Sequence, residues 1–203
     1  MENKSTKAEI VKQIKSAFEF IQQLYNESSY LIKEIEGQLG ESEYRFQLLR
    51  SSGYSISARN STGLEQSNVN LWLLRKFSVA FVEESNTELK RGQNFTKIDD
   101  NLKVLYFKII LDEKNQTEPQ LYFGVFYEIK KFKDWIKKFE NLMGSFEYID
   151  NKLFVKFPNV DYEDGNLKLK GKFKKVNLLK LNSSNDLVEK VINPVIKLYE
   201  TGK

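Results

Sequence analysis

Neither histidine nor cysteine occurs among the 203 residues of this chain, and the two absences together remove most of the common catalytic repertoire. There is no thiolate nucleophile, no imidazole base, and no imidazole or sulfur ligand for zinc, copper or iron. Carboxylate-and-lysine chemistry survives, or none. The missing cysteine also excludes the disulfide-stapled secreted class. Long apolar runs are absent as well: Leu71 to Leu74 and Ile109 to Leu111 fall far short of the roughly 20 residues needed to cross a bilayer. The opening MENKSTKAEIVKQ is polar and mixed in charge, unlike a secretory leader. A cytoplasmic protein without membrane association is expected.

Aromatics are plentiful. Fifteen Phe and ten Tyr supply large burial per residue, so the core needs no metal or disulfide. Thirty-two Lys and Arg against 28 Asp and Glu give a net charge of +4, which by itself says nothing about partners. Composition, length and the lack of any linker predict one α+β domain over residues 1–203, with a mostly antiparallel sheet built from hairpins.

Thr6-x-x-Glu9 forms a capping box and predicts a helix over about 6–39. Ile10, Ile14, Ala17, Ile21, Leu24, Leu31 and Ile35 recur at spacings of four and three, broken by Ser28. Val11, Phe18, Tyr25, Ile32 and Leu39 add a second row every seven residues. A stripe that broad favours packing on a core over a two-row coiled-coil seam, with a homodimer through Ile10–Leu39 as the other use of the same pattern. Gly37 or Gly40 closes the helix.

Alternation at Tyr44, Phe46 and Leu48 and again at Tyr54, Ile56 and Ala58 predicts a short hairpin, although a helix over Ser42–Leu49 also fits. From Val69 the odd positions Leu71, Leu73, Phe77, Val79 and Phe81 keep one phase through Arg75, predicting one long strand or two collinear ones, then a polar loop over 83–101. Leu102–Leu111 and Leu121–Ile129 are apolar, β-branched and aromatic runs, and they predict a central hairpin covered on both faces. Phe132, Trp135, Ile136 and Phe139 predict a central amphipathic helix, stopped by Gly144. Two hairpins are expected next, one turning at Asp150-Asn151 and one at Asp164-Gly165. Ser183-x-x-Asp186 then caps a last helix over about 184–200, which Pro194 kinks.

Two surfaces invite a functional reading. Lys168, Lys170, Lys172 and Lys174 alternate with apolar residues, so they share one strand face at intervals of about 6.6 Å. Lys130, Lys131, Lys133, Lys137 and Lys138 on the expected central helix add a second cluster. If the two meet, they make an anion-binding surface for a nucleic-acid backbone or an acidic protein. The bland account is an edge strand guarded by lysines and a solvated helix face.

The other surface is the strand end Glu128-Ile129-Lys130. With Leu111 opposite Leu121, position 104 faces 128, and Asp100 comes to the same end as Glu128 and Lys130. Two carboxylates holding Mg²⁺ and a lysine orienting water are the parts of a metal-dependent nuclease. The element order over residues 6 to 157 resembles the core of the restriction-endonuclease-like superfamily, a likeness of topology that implies this activity. The same acid-x-Lys pattern stands at Glu88–Lys90, Asp112–Lys114 and Asp150–Lys152. The run Tyr106, Phe107, Tyr122, Phe123, Phe126 and Tyr127 is expected in the core. A non-catalytic domain that binds an anionic partner and carries no cofactor is the primary expectation; the Mg²⁺ nuclease and the helix-mediated oligomer are the alternatives.

Overall fold

The computed structural model describes residues 6–49, 54–56, 73–90, 93–96, 101–112, 117–131, 157–163 and 167–202. In chain order the elements are α1 (Lys7–Gly40), β1 (Gln47–Leu48), β2 (Tyr54–Ile56), β3 (Lys76–Val82), β4 (Thr87–Lys90), β5 (Gln93–Thr96), β6 (Val104–Ile110), β7 (Gln120–Lys131), β8 (Asn159–Glu163) and β9 (Leu167–Asn177). The chain ends in α2 (Ser184–Leu187), a π turn over Val188–Ile192, and α3 (Asn193–Thr201). Seven strands form one antiparallel sheet in the order β1-β3-β6-β7-β9-β8, with β2 also on β3; β4 and β5 form a separate hairpin.

The apolar runs that predicted a central hairpin are β6 and β7, and every residue of β6 is buried. Strands with both faces apolar need cover on both sides, and two clusters supply it. On one face Phe81, Leu105, Phe107, Phe123 and Val125 pack under Ile32, Ile35 and Leu39 of α1 and under Leu187, Val191, Val195 and Tyr199 of the C-terminal helices. On the other face Tyr106, Phe126 and Phe173 pack with Leu102, Val104, Leu167 and Leu169. Each large side chain so buried contributes about 1.5–3 kcal/mol. Gly124 lies opposite Phe173 and Gly171 opposite Phe126, so each ring spreads over the bare backbone of a glycine. A Cβ at Gly124 would come within 2.1 Å of the Lys172 carbonyl oxygen and 2.6 Å of the Phe173 ring.

Several expectations need correction. β1 and β2 do not pair with each other; both pair with β3, at Phe81–Val82 and at Phe77–Val79. The strongly apolar β3 needs neighbours on both edges, and that need outweighs the local turn. The polar segment after Val82 is no plain loop, for it holds a 3₁₀ turn at Glu84–Asn86 and the β4–β5 hairpin. Backbone pairing across the short Arg91-Gly92 link requires no apolar alternation, so the pattern gave no sign of it. The expected central helix and the hairpin at Asp150-Asn151 lie outside the described residues. Lys130 and Lys131, assigned to that helix, belong to β7.

α1 starts where the capping box places it: Thr6 accepts from the Glu9 amide at 3.3 Å, and the Glu9 carboxylate accepts from the Thr6 amide at 2.6 Å. Its packing is another matter. The seven residues of β3 or β6 extend about 23 Å, whereas the 34 residues of α1 extend about 51 Å. Only Ser28, Ile32, Ile35 and Leu39 are buried, and residues 6–20 overhang the sheet, with Ile10, Val11, Ile14, Phe18 and Phe20 exposed. At the other end Pro194 is met by the π turn, in which the Asn193 amide donates to the Val188 carbonyl. Widening the helix there accommodates a residue that has no amide hydrogen to give.

Candidate functional site

β9 runs between β7 and β8, so its lysines do not guard an open edge. Leu167, Leu169 and Phe173 are buried, while Lys168, Lys170 and Lys172 are half-buried and Lys174 is exposed. Lys170 lies opposite Tyr127, Lys172 opposite Val125 and Lys174 opposite Phe123, all on the face that carries the helices. Because α3 packs over β7, the lysines form a ledge along its flank. Lys130 joins them opposite Lys168, an unfavourable pairing of like charges.

Acids on the neighbouring strands answer part of this row. Lys168 pairs with Glu163 at 2.5 Å, and Lys170 pairs with Glu128 at 2.8 Å. Hydrogen bonding to Glu163 raises the Lys168 pKa, and hydrogen bonding to Glu128 raises that of Lys170; charge attraction from the same carboxylates and from Asp161 adds to both. Asp161 lies opposite Lys170 and Glu163 opposite Lys168. Among the described residues no carboxylate pairs with Lys172 or Lys174. The ledge is therefore neutralised at its Lys168–Lys170 end and positive at the other. Of the second basic cluster, Lys133, Lys137 and Lys138 lie outside the described residues, as does the side chain of Lys131.

Glu128 reaches the ledge through an irregularity. Between the pairs Tyr127–Lys170 and Lys130–Lys168, β7 carries one residue more than β9, and Glu128 there has φ 50°. In this kind of bulge the first extra residue takes a left-handed conformation that glycine adopts most easily. Burial pushes the neighbouring Tyr127 phenol up in pKa, Glu128 and Asp161 add to the rise, and Lys170 opposes it.

The nuclease arrangement loses its register. Val104 pairs with Phe126 and Ile109 with Leu121, two residues away from the expected 104–128 alignment. The Glu128 carboxylate is held by Lys170, and Asp100 lies outside the described residues. Among the described residues no group of three His, Cys, Asp or Glu side chains gathers as a metal site would.

The acids of β8, Asp161 and Glu163, complete the site beside the lysines. Their signal was present: odd-numbered Asp161 and Glu163 face even-numbered lysines whenever the two strands pair with that parity. Glu163 pairs with Lys168, two residues from the Glu163–Asn166 alignment that a two-residue turn at Asp164-Gly165 would give.

A second surface is apolar. Along the overhang of α1, Ile10 is 46% exposed, Ile14 52%, Phe18 71% and Phe20 68%. Where the helix meets the body, a cleft of about 530 Å³ opens among Leu24, Leu31, Leu111, Pro119, Leu178 and Leu187. Tyr25 marks this corner by hydrogen-bonding both the carbonyl and the amide of Leu74, at 3.2 and 3.0 Å. Among the described residues no helix is long and apolar enough to cross a membrane. No family model, no curated protein and no solved structure matches this chain.

Proposed function

We propose that this chain is a non-catalytic binding domain that engages the phosphate backbone of a nucleic acid through the positive end of the β9 ledge. The observation that carries the reading is the uneven neutralisation of the row: Glu163 and Glu128 occupy Lys168 and Lys170, while Lys172 and Lys174 keep their ammonium groups for an anion. Rigid strand spacing supports it, since alternate residues about 6.6 Å apart present charges in line along an extended polyanion. Lysines bind phosphate as point charges and read no bases, so the binding is insensitive to sequence.

The test is a titration of labelled single-stranded DNA at several salt concentrations. Lys172→Gln with Lys174→Gln removes two phosphate contacts and lowers the salt slope by about 1.4 on a single strand. Lys168→Gln with Lys170→Gln has a smaller effect, because those ammonium groups are already engaged. Equal loss from both pairs, or no DNA binding near physiological salt, overturns the reading; retention on an acidic protein alone transfers the ledge to that partner.

A further inference from the structure

The apolar stripe of α1 does not change direction where it leaves the body. Ile35, buried against the sheet, continues the four-three row of Ile10, Ile14, Ala17 and Ile21, and the buried Ile32 and Leu39 continue the adjoining row of Val11 and Phe18, so the buried and overhanging apolar residues lie along one side of the helix. From Thr6 to Phe20, where every residue is exposed, this segment is about 21 Å long. A free helix of that length is marginal in water, and rows of large apolar side chains on a surface mark an interface.

The charges on the same helix indicate what covers it. Along the overhang, Lys7, Lys12 and Lys15 stand near its start with Glu9 alone against them, and Glu19 and Glu27 follow with no lysine between residues 16 and 27. Two such helices side by side in the same direction superpose like on like. Reversed, they set the lysine-rich half against the acidic half.

We infer that the overhang of α1 pairs antiparallel with the same segment of a second copy of this chain. The heptad spacing fixes a register in which Ile10 meets Ile21 of the second copy and Ile14 meets Ala17 of the second copy, with Val11 and Phe18 flanking the seam. This alignment runs from Thr6 to Tyr25, that is, from the exposed residues 6–20 to the half-buried Ile21, Leu24 and Tyr25 where the helix meets the body. Lys7 then arrives beside Leu24 and Glu27 of the second copy, at the mouth of that copy's cleft. The contact is isologous and closes as a two-fold dimer.

Sedimentation equilibrium of the full chain at about 100 µM tests it. A dimer is expected, and Ile14→Glu raises its dissociation constant about 100-fold or more by placing a carboxylate in the seam. The melting of the isolated Ile14→Glu monomer shows that the fold is intact. Since the chain has no cysteine, Ile10→Cys with Ile21→Cys gives an oxidised covalent dimer, whereas Ile10→Cys alone does not. In the antiparallel register two copies of residue 10 stand about 16 Å apart, too far for one bridge. A monomeric wild type, a covalent dimer through Ile10→Cys alone, or a monomer that floats with anionic lipid vesicles overturns the inference.

Discussion

Glu128 holds the ammonium group of Lys170 at 2.8 Å from a left-handed backbone position. The two facts oppose each other energetically. A non-glycine residue in that conformation costs about 1–2 kcal/mol, and a solvent-exposed ion pair, screened by water and salt, offsets only part of that. Glu128→Gly is therefore expected to raise the unfolding free energy by about 0.5 kcal/mol after the entropy of the added glycine, and Glu128→Val to lower it by about 1–2 kcal/mol. Urea denaturation measures both. A glycine variant less stable than the parent would show that the ion pair outweighs the strain.

The same pair makes a binding prediction with the opposite chemistry. Glu128→Gln leaves the backbone strained but frees Lys170, so affinity for single-stranded DNA rises and the salt slope steepens by up to about 0.7. Should the slope stay level, Lys170 does not reach the anion.

Gly124 and Gly171 differ in how much room their neighbours leave. At Gly124 a Cβ meets backbone at 2.1 Å, whereas at Gly171 the nearest contacts are ring atoms at 2.9 Å. Gly124→Ala is expected to destabilise by about 3 kcal/mol or more, and Gly171→Ala by about 1–2 kcal/mol, as overpacking at a site that cannot shift compared with one that can. Thermal melts of the two variants decide it, and a reversed order would mean that β7 moves away from β9 more freely than the Phe173 ring turns.

Tyr199 donates its phenolic hydrogen to Glu83 at 2.5 Å, which ties α3 to the end of β3. Burial above all, then the bond to Glu83 and its charge, push the Tyr199 pKa well above the ordinary phenol range. Above about pH 10 the unfolded chain loses this proton and the folded chain keeps it. Fewer protons on the unfolded state mean that stability falls as pH rises, by up to about 1.4 kcal/mol per pH unit for this group. Tyr199→Phe should flatten the alkaline limb of a pH–stability curve, and an unchanged limb would assign the loss to other tyrosines.

What could be read from the sequence was local. The Thr6 and Ser183 caps, the two central strands and the β8–β9 hairpin all follow from short patterns that tertiary packing has no reason to override. Registers were off by two because strand period fixes parity but not position. In α1 the four-three spacing runs unchanged from Ile10 to Ile35, so it could not tell the half that meets the sheet from the half that does not; strand length decides that. The lysine row of β9 was plain, yet its neutralisation depended on Asp161, Glu163 and a bulge at Glu128, contacts made by three strands together.

Among the described residues β8 is the last strand on its side of the sheet. A terminal strand can recruit a foreign one, and alternating like charges discourage it by making the approaching copy repel. Asp161 and Glu163, exposed on β8, therefore have a duty besides quieting lysines: they keep the sheet from growing. Removing both to strengthen anion binding would leave Val160 and Tyr162 in an uncharged rim, and fibrous self-assembly would set the ceiling on how far that surface can be made more basic.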